Sequence, residues 1–353
     1  MINICINGKF LSQNLTGVQR YALEIIRAID THLNDIKIKE KYNFIIIAPQ
    51  NLKYDFKFKN IKIRKVGLLK ETLWEQIELP YYSRNKFLLN FCNVAPIIKK
   101  NQIVTIHDAA TAAMPKSFSM AFKLWYRFMY FILEKRLNEI FTVSNFAKNQ
   151  VNKYFNFDKN KIMVTYNGIE HIFRIKPDNA ILKKINIEKG NYILAVSSMN
   201  PSKNFKLVLE CAKYLPDYKF IIAGGKNTTV FKNENLDIPQ NVNFIGYVSD
   251  EELVALYRNA YCFVYPSLYE GFGIPPLEAI ALGCPVILSN IEVFKEIYNN
   301  SAVYCDPNNA KQLASKIQDK EKLDKLRNLY LTNVELHKYS WNKTAEEIFK
   351  YLQ

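Results

Sequence analysis

Two glutamates, Glu270 and Glu278, stand with seven residues between them in the stretch Tyr265-Pro266-Ser267-Leu268-Tyr269-Glu270-Gly271-Phe272-Gly273-Ile274-Pro275-Pro276-Leu277-Glu278. A carboxylate accepts from paired hydroxyls, so one of them suits a sugar and the other a ribose. Gly271 and Gly273 allow a sharp turn and a close backbone approach to a ligand. Pro275 and Pro276 suit a first helical turn, whose N–H groups have no partner inside the helix. With Pro276 at the first helical position, Pro275 precedes it and brings no side-chain oxygen as a cap. The N–H groups of Gly271, Phe272, Gly273, Ile274 and Leu277 are then left for another acceptor, and a phosphate suits them. The pattern predicts a nucleotide-sugar cradle, with the diphosphate on the backbone between two sugar-gripping carboxylates. A plain turn whose glutamate only complements the helix dipole fits the same residues.

The elements that must hold this loop are short apolar runs. Ile2–Ile6, Phe44–Ala48, Ile61–Val66, Ile103–Ile106, Ile140–Val143 and Ile162–Tyr166 read as buried strands. A second set follows at Tyr192–Ser197, Phe220–Ala223, Val242–Ile245, Tyr261–Tyr265, Val286–Leu288 and Ala302–Cys305. Helical patterns such as Tyr21–Ile29 and Phe122–Leu137 lie between them, and the alternation predicts parallel sheets with helices on both faces. The fold class is therefore α/β, with two Rossmann-like domains whose sheets face each other across a cleft that takes the ligand. The expected division is 1–171 for the first domain, a polar, Lys-rich linker at 172–190, and 191–338 for the second domain. The tail, 339–353, reads as an amphipathic helix.

Composition narrows the setting. The chain has 353 residues, 49% of them apolar, enough for two globular domains. The six cysteines are scattered without metal-ligand spacing, which suggests buried thiols in a reducing compartment. The N-terminus reads directly as a strand with no basic leader, and the aromatic run Leu124–Leu133 is broken by Arg127 and too short to span a bilayer. A cytoplasmic protein is expected. The formal net charge is +15, and residues 1–170 carry 26 Lys and Arg against 13 Asp and Glu. That imbalance suggests an acidic partner for the first half, such as an anionic lipid surface or a diphosphate-linked acceptor. The lysines are dispersed and show neither a recognition helix nor an aromatic RNA-binding signature, so nucleic acid is not expected as a partner.

Three further places invite a role. The loop Leu11–Gly17 precedes a helix near Val18, so a phosphate can approach there, or the loop is a plain capped start. His107-Asp108 ends a central strand, where open sheets place ligand contacts; a structural histidine is the default reading, and Asp108 could hold one tautomer. Ser144 reads as the N-cap of the helix carrying Lys148. The helix from about Ser117 to Leu137 carries Lys123, Arg127, Lys135 and Arg136 among aromatics, and reads as packed and amphipathic, with a membrane-surface role as the alternative.

From Tyr265 through Asn290, including Gly283-Cys284-Pro285-Val286-Ile287, the chain resembles the Glu-x7-Glu region of retaining GT-B glycosyltransferases of family 4. Asn7-Gly8-Lys9-Phe10 and Thr16-Gly17-Val18-Gln19-Arg20-Tyr21 resemble the first motif of a surface-polysaccharide branch of that family. The resemblance covers essentially the whole chain and implies transfer of a sugar from a nucleotide donor to a hydroxyl, with retention. It implies Glu270 and His107 at the transferred sugar, and Glu278 at the ribose. Gly17, Ser198, Lys203 and the Gly271, Phe272, Gly273, Ile274 backbone would attend the donor, with Val248 bordering the base. Arg20, Asp108 and Lys148 would lie on the acceptor side. Trp74-Glu75-Gln76 and Asn90–Pro96 look typical of the family and would shape that side. Ser202 stands where the family commonly has Arg, which leaves more of the phosphate charge to Lys203 and the helix dipole. No Asp-x-Asp pair occurs, so no metal and no other cofactor is expected.

The same likeness implies assembly of O antigen or capsule on a lipid-diphosphate-linked glycan, with the protein at the cytoplasmic face of the inner membrane. It implies a last helix that returns to the N-terminal domain. GDP-mannose and dTDP-rhamnose are equal leading donors. A UDP-sugar 2-epimerase on the same architecture is the rival enzyme, and a basic nucleic-acid binder is the rival outside enzymes.

Overall fold

The structure, a computed structural model, describes residues 1–196, 200–225 and 237–352. It divides into two compact units: Met1–Gly168 together with Ser340–Gln353, and Ile169–Tyr339. In the first unit five parallel strands run in the order β3-β2-β1-β4-β5. They are β1 (Ile2–Asn7), β2 (Tyr42–Ala48), β3 (Lys62–Lys65), β4 (Phe87–Asn90) and β5 (Gln102–Val104). A bridge from Thr105 to Phe141 carries the pairing on to β6 (Ile140–Thr142) and β7 (Ile162–Val164). Central β1 pairs with β2 and β4, and Ile4, Cys5 and Ile6 are fully buried, as parallel strands covered on both faces require. The strand β4 is additional to those expected. Its apolar run, Phe87-Leu88-Leu89, is only three residues long and opens straight after Lys86, so it carries little signal.

Ser340–Gln353 belongs to the first unit, where the helix Trp341–Tyr351 packs beside the helix Gly17–His32. Trp341, Ala345, Ile348 and Phe349 are buried, and the Phe349 ring meets Tyr42, Phe44 and His32.

The second unit holds a six-stranded parallel sheet in the order β10-β9-β8-β11-β12-β13, counted among the described residues. These are β8 (Tyr192–Val196), β9 (Lys219–Ala223), β10 (Val242–Gly246), β11 (Cys262–Tyr265), β12 (Val286–Ser289) and β13 (Val303–Cys305). The stretch 172–190 is part of this unit, not a free connection. Ile172, Ile181 and Ile187 are buried, the Asp178 N–H donates to the Glu251 carbonyl at 3.0 Å, and Gly190 N–H donates to Asn259 at 2.8 Å. Its lysines gave the segment a linker's composition, while the spaced isoleucines do the packing. The six cysteines are unpaired thiols, and burial pushes the pKa of each upward.

Candidate active site

In the second unit the strand order reverses between β8 and β11, and loops leaving the carboxyl ends of these two strands meet. Leu268 N–H donates to the Ser202 carbonyl at 2.8 Å, and the Asn204 amide donates to the Pro266 carbonyl at 3.2 Å. This lacing brings Lys203 from one loop against Glu270 of the other, Nζ to Oε1 at 2.5 Å. Tyr265 ends β11, and its hydroxyl lies 3.2 Å from the same Nζ. Burial pulls the Lys203 ammonium's pKa down, but the Glu270 carboxylate and Tyr265 outweigh it and hold the pKa above the usual lysine value. Lys203 therefore stays charged at any physiological pH. Ser202 contributes its main-chain carbonyl to the lacing, and its own N–H is held by Asn200.

After Glu270 the chain turns at Gly273, with φ +93 and no side-chain cap, into the helix Ile274–Ala281. Glycine is required there twice over, since a Cβ would lie in the left-handed region and 2.8 Å from the Phe294 ring. The Tyr298 hydroxyl donates to the Gly273 carbonyl and fixes the turn. The helix thus begins at Ile274, two residues before the start expected at Pro276, because a proline also fits the second and third positions of a first turn. With Gly273 as N-cap, the Leu277 N–H is the first donor used inside the helix, so it is not left over. Both prolines lack an N–H, which leaves Gly273 and Ile274 as the donors of this turn. Phe272 is buried edge-on against Tyr339.

Glu278 lies one turn into the helix and is 7% exposed. Its Oε1 meets His171 Nε2 at 2.8 Å, and its Oε2 accepts from the Tyr257 hydroxyl at 3.3 Å. His171, Tyr257, Tyr265 and Tyr298 were not singled out in the sequence. Only Tyr265, at a strand's carboxyl end, had a positional signal. Val248 follows β10 behind Gly246 and Tyr247; Tyr247 is 84% exposed, and its hydroxyl would lie 2.7 Å from a Cβ on Gly225. Ser198 lies outside the described residues.

The remaining candidates lie in the first unit. Gly17 opens the helix Gly17–His32, one residue before the expected start, and a Cβ there would meet nothing within 4 Å. The Gln19 side-chain carbonyl accepts from Thr16 N–H at 3.3 Å and from the Thr16 hydroxyl, so this start is capped. Arg20 follows on that helix, and Lys148 is half-buried on the helix Asn145–Phe155, whose N-cap Ser144 accepts from Ala147 N–H. His107 is buried, edge-on to Tyr21, and its backbone N–H donates to Asn93. Its Nε2 lies 2.8 Å from the Phe91 carbonyl, which can only accept, so Nε2 carries the proton. The tautomer is thus set by Phe91, whereas Asp108 accepts from the Ala110 N–H. Burial lowers the His107 pKa to about 4, with the Phe91 bond opposing, so the ring is neutral near pH 7.

A family model described as Glycosyl transferases group 1 matches residues 178–335. The chain is 31% identical over 333 residues to the O-antigen chain mannosyltransferase RfbU of Salmonella typhimurium, covering 90% of this chain and 91% of that one. It is 27% identical over 375 residues to O-antigen chain mannosyltransferase B of Escherichia coli, covering 96% of each. Among solved structures, sucrose-phosphate synthase of Thermosynechococcus elongatus superposes with TM-score 0.75 at 14% identity, covering 100% of this chain and 98% of that one. Anabaena HepE in complex with UDP and glucose gives TM-score 0.74 at 13% identity, covering 100% and 99%. Two parallel-sheet units with loops meeting at the strand reversal, and a relative matched along nine-tenths of the chain, lead to one assignment: the chain belongs to the glycosyl transferases group 1 family, a glycosyltransferase of GT-B fold.

Proposed function

We propose that the protein transfers mannose from GDP-mannose, with retention, to a hydroxyl of a lipid-diphosphate-linked glycan in O-antigen synthesis. The observation that carries this reading is the meeting of Lys203, Tyr265 and Glu270 beside the Gly273 turn, at the strand reversal of the second unit. A diphosphate there gains a permanent ammonium and the Gly273 and Ile274 N–H groups, which suit the charge that develops on the leaving group. As Lys203 turns to the diphosphate, Glu270 is released to accept from hydroxyls of the transferred sugar. Glu278 accepts from the ribose, and the Val248 backbone borders the base. Departure and attack occur on one face of the sugar ring, so Glu270 is not a covalent nucleophile. Mannose is preferred to rhamnose because both relatives described above are mannosyltransferases by name.

The reaction is proposed as metal-independent, with Lys203 and the helix start carrying the phosphate charge. Among the described residues no three His, Cys, Asp or Glu side chains converge as a metal site. Peripheral contact with the anionic inner-membrane face is part of the same proposal. Among the described residues no helix is long and apolar enough to cross a bilayer. The helix Met120–Arg136 does expose Met120, Leu124, Phe128 and Phe131, each more than half accessible, along one helical stripe. Lys123, Arg127 and Lys135 edge that stripe, the arrangement of a helix lying in a membrane interface.

A thermal-shift panel of UDP, GDP, dTDP and their sugars tests the donor assignment. GDP and GDP-mannose should stabilise the protein in the presence of EDTA, and Lys203→Ala should abolish the shift. Glu270→Ala should stay folded and lose transfer. Stabilisation by dTDP-rhamnose alone would move the donor to rhamnose. A UDP-sugar epimerised without acceptor, or wild-type transfer by Glu270→Ala, would overturn the reading.

A further inference from the structure

Glu278 is buried on the helix Ile274–Ala281, and each of its carboxylate oxygens is held by one donor from a different element of the second unit. His171 Nε2 lies 2.8 Å from Oε1. It sits in the 3-10 turn Glu170–Arg174, where the Ile172 N–H donates to the Ile169 carbonyl at 3.0 Å and both isoleucines are buried. A carboxylate only accepts, so Nε2 carries the proton whichever form the ring takes. Tyr257 comes from the helix Asp250–Asn259, and its hydroxyl donates to Oε2 at 3.3 Å. Burial first, and then the Glu278 charge, hold the Tyr257 pKa well above the usual tyrosine value, so this hydroxyl keeps its proton. His171 and Tyr257 are themselves buried, so neither trades Glu278 for bulk water.

A carboxylate oxygen accepts about two hydrogen bonds, so one donor on each leaves about one position open on each, side by side. That is the complement of two neighbouring hydroxyls and not of one. A carboxylate serving the fold alone would be better matched by donors at every position, because a buried acceptor without a partner is costly. Resting on the transferase reading above, in which Glu278 meets the ribose, we propose that His171 and Tyr257 are positioning residues that aim Glu278 at the 2′,3′-diol and thereby select ribonucleotide donors over 2′-deoxyribonucleotide donors. A deoxyribose offers one hydroxyl, fills one oxygen, and leaves the other desolvated and short of a bond. GDP-mannose and dTDP-rhamnose differ in this hydroxyl, so the same device ranks the first above the second.

Isothermal titration calorimetry of the full chain with GDP and 2′-deoxy-GDP, and with UDP and 2′-deoxy-UDP, reads the selection as a ratio of dissociation constants. In the wild type the ratio should favour the ribonucleotide about tenfold or more. Tyr257→Phe and His171→Leu should bring it below about threefold by weakening the ribonucleotide, while His171→Gln, whose amide donates from the place of Nε2, should keep most of it. A purely structural pair would weaken both members of a nucleotide pair alike, and an unchanged ratio in the folded variants overturns the proposal. Tyr257→Phe removes one hydroxyl only, so the test survives should His171→Leu misfold. Equal wild-type binding of GDP and 2′-deoxy-GDP overturns the inference and leaves the GDP-mannose reading standing. A ratio that follows the variants with the uridine pair alone moves the donor base and leaves the inference standing. Silence from every nucleotide, or dTDP held more tightly than either ribonucleotide, overturns both.

Discussion

His107 has its polar edge spoken for by the Phe91 carbonyl and its pKa lowered to about 4 by burial. The folded state therefore resists protonation that the unfolded chain accepts near 6.5. The unfolded state binds more protons between these values, so stability is full above about 6.5 and falls as pH drops toward 4. The loss should be on the order of 3 kcal/mol, and His107→Gln should flatten that part of the curve. Denaturant melts at pH 7 and pH 4.5 check this; equal slopes for both proteins would mean the ring is solvated. At this scale the sequence was informative where chemistry is written locally. Glu270, Gly273 and Lys203 stand in or beside contiguous motifs, and the structure brings them into one corner. The His171 and Tyr257 partners of Glu278 lie 107 and 21 positions away, so no spacing in the sequence announces them. The His107 tautomer likewise depends on a carbonyl sixteen residues upstream.

Among elements, apolar runs predicted twelve of the strands, most of them because central parallel strands buried on both faces leave little room for polar residues; the edge strand β3, Lys62-Ile63-Arg64-Lys65, is mostly exposed and was marked only by the apolar Ile61 and Val66 beside it. What escaped were β4, whose run is short, and the π-helical turn at Trp74–Glu78, which has no periodicity of its own. The helix Met120–Arg136 was expected as a packed amphipathic element, and Met129, Tyr130 and Leu133 are indeed buried. The exposed stripe opposite them is equally apolar, and periodicity alone did not separate the two faces. Vesicles containing phosphatidylglycerol should recruit the protein, and added salt should weaken the recruitment. Replacing Leu124 and Phe128 together by aspartate should cut partitioning about tenfold or more, read by flotation, with an unchanged melting temperature. Equal flotation of the variant would show that the stripe does not meet lipid.

At the scale of the molecule, two sets of alternating strands and helices pointed to two domains, and the structure fixes where the chain leaves one and rejoins it. The first unit ends at Gly168 and resumes at Ser340, so the second unit is a single insertion within it. The two crossings are adjacent: a Cβ on Gly168 would sit 2.1 Å from the Trp341 nitrogen. Deleting Ser340–Gln353 should remove Trp341, Ile348 and Phe349 from the first unit's core, about 1.5–3 kcal/mol each, comparable to a domain's whole stability. Calorimetry should show the first unit's transition lost and the second unit's transition retained; an unchanged scan would mean the tail is dispensable.

That arrangement bears on biosynthesis. The ribosome delivers Met1–Gly168 before Ile169–Tyr339, yet the apolar face on the helix Gly17–His32 waits for a partner that emerges after both. The inserted unit, contiguous from Ile169 to Tyr339, can condense while its host is still open. The unit begun first is therefore completed only after the second, and it is exposed to aggregation until Ser340–Gln353 has emerged.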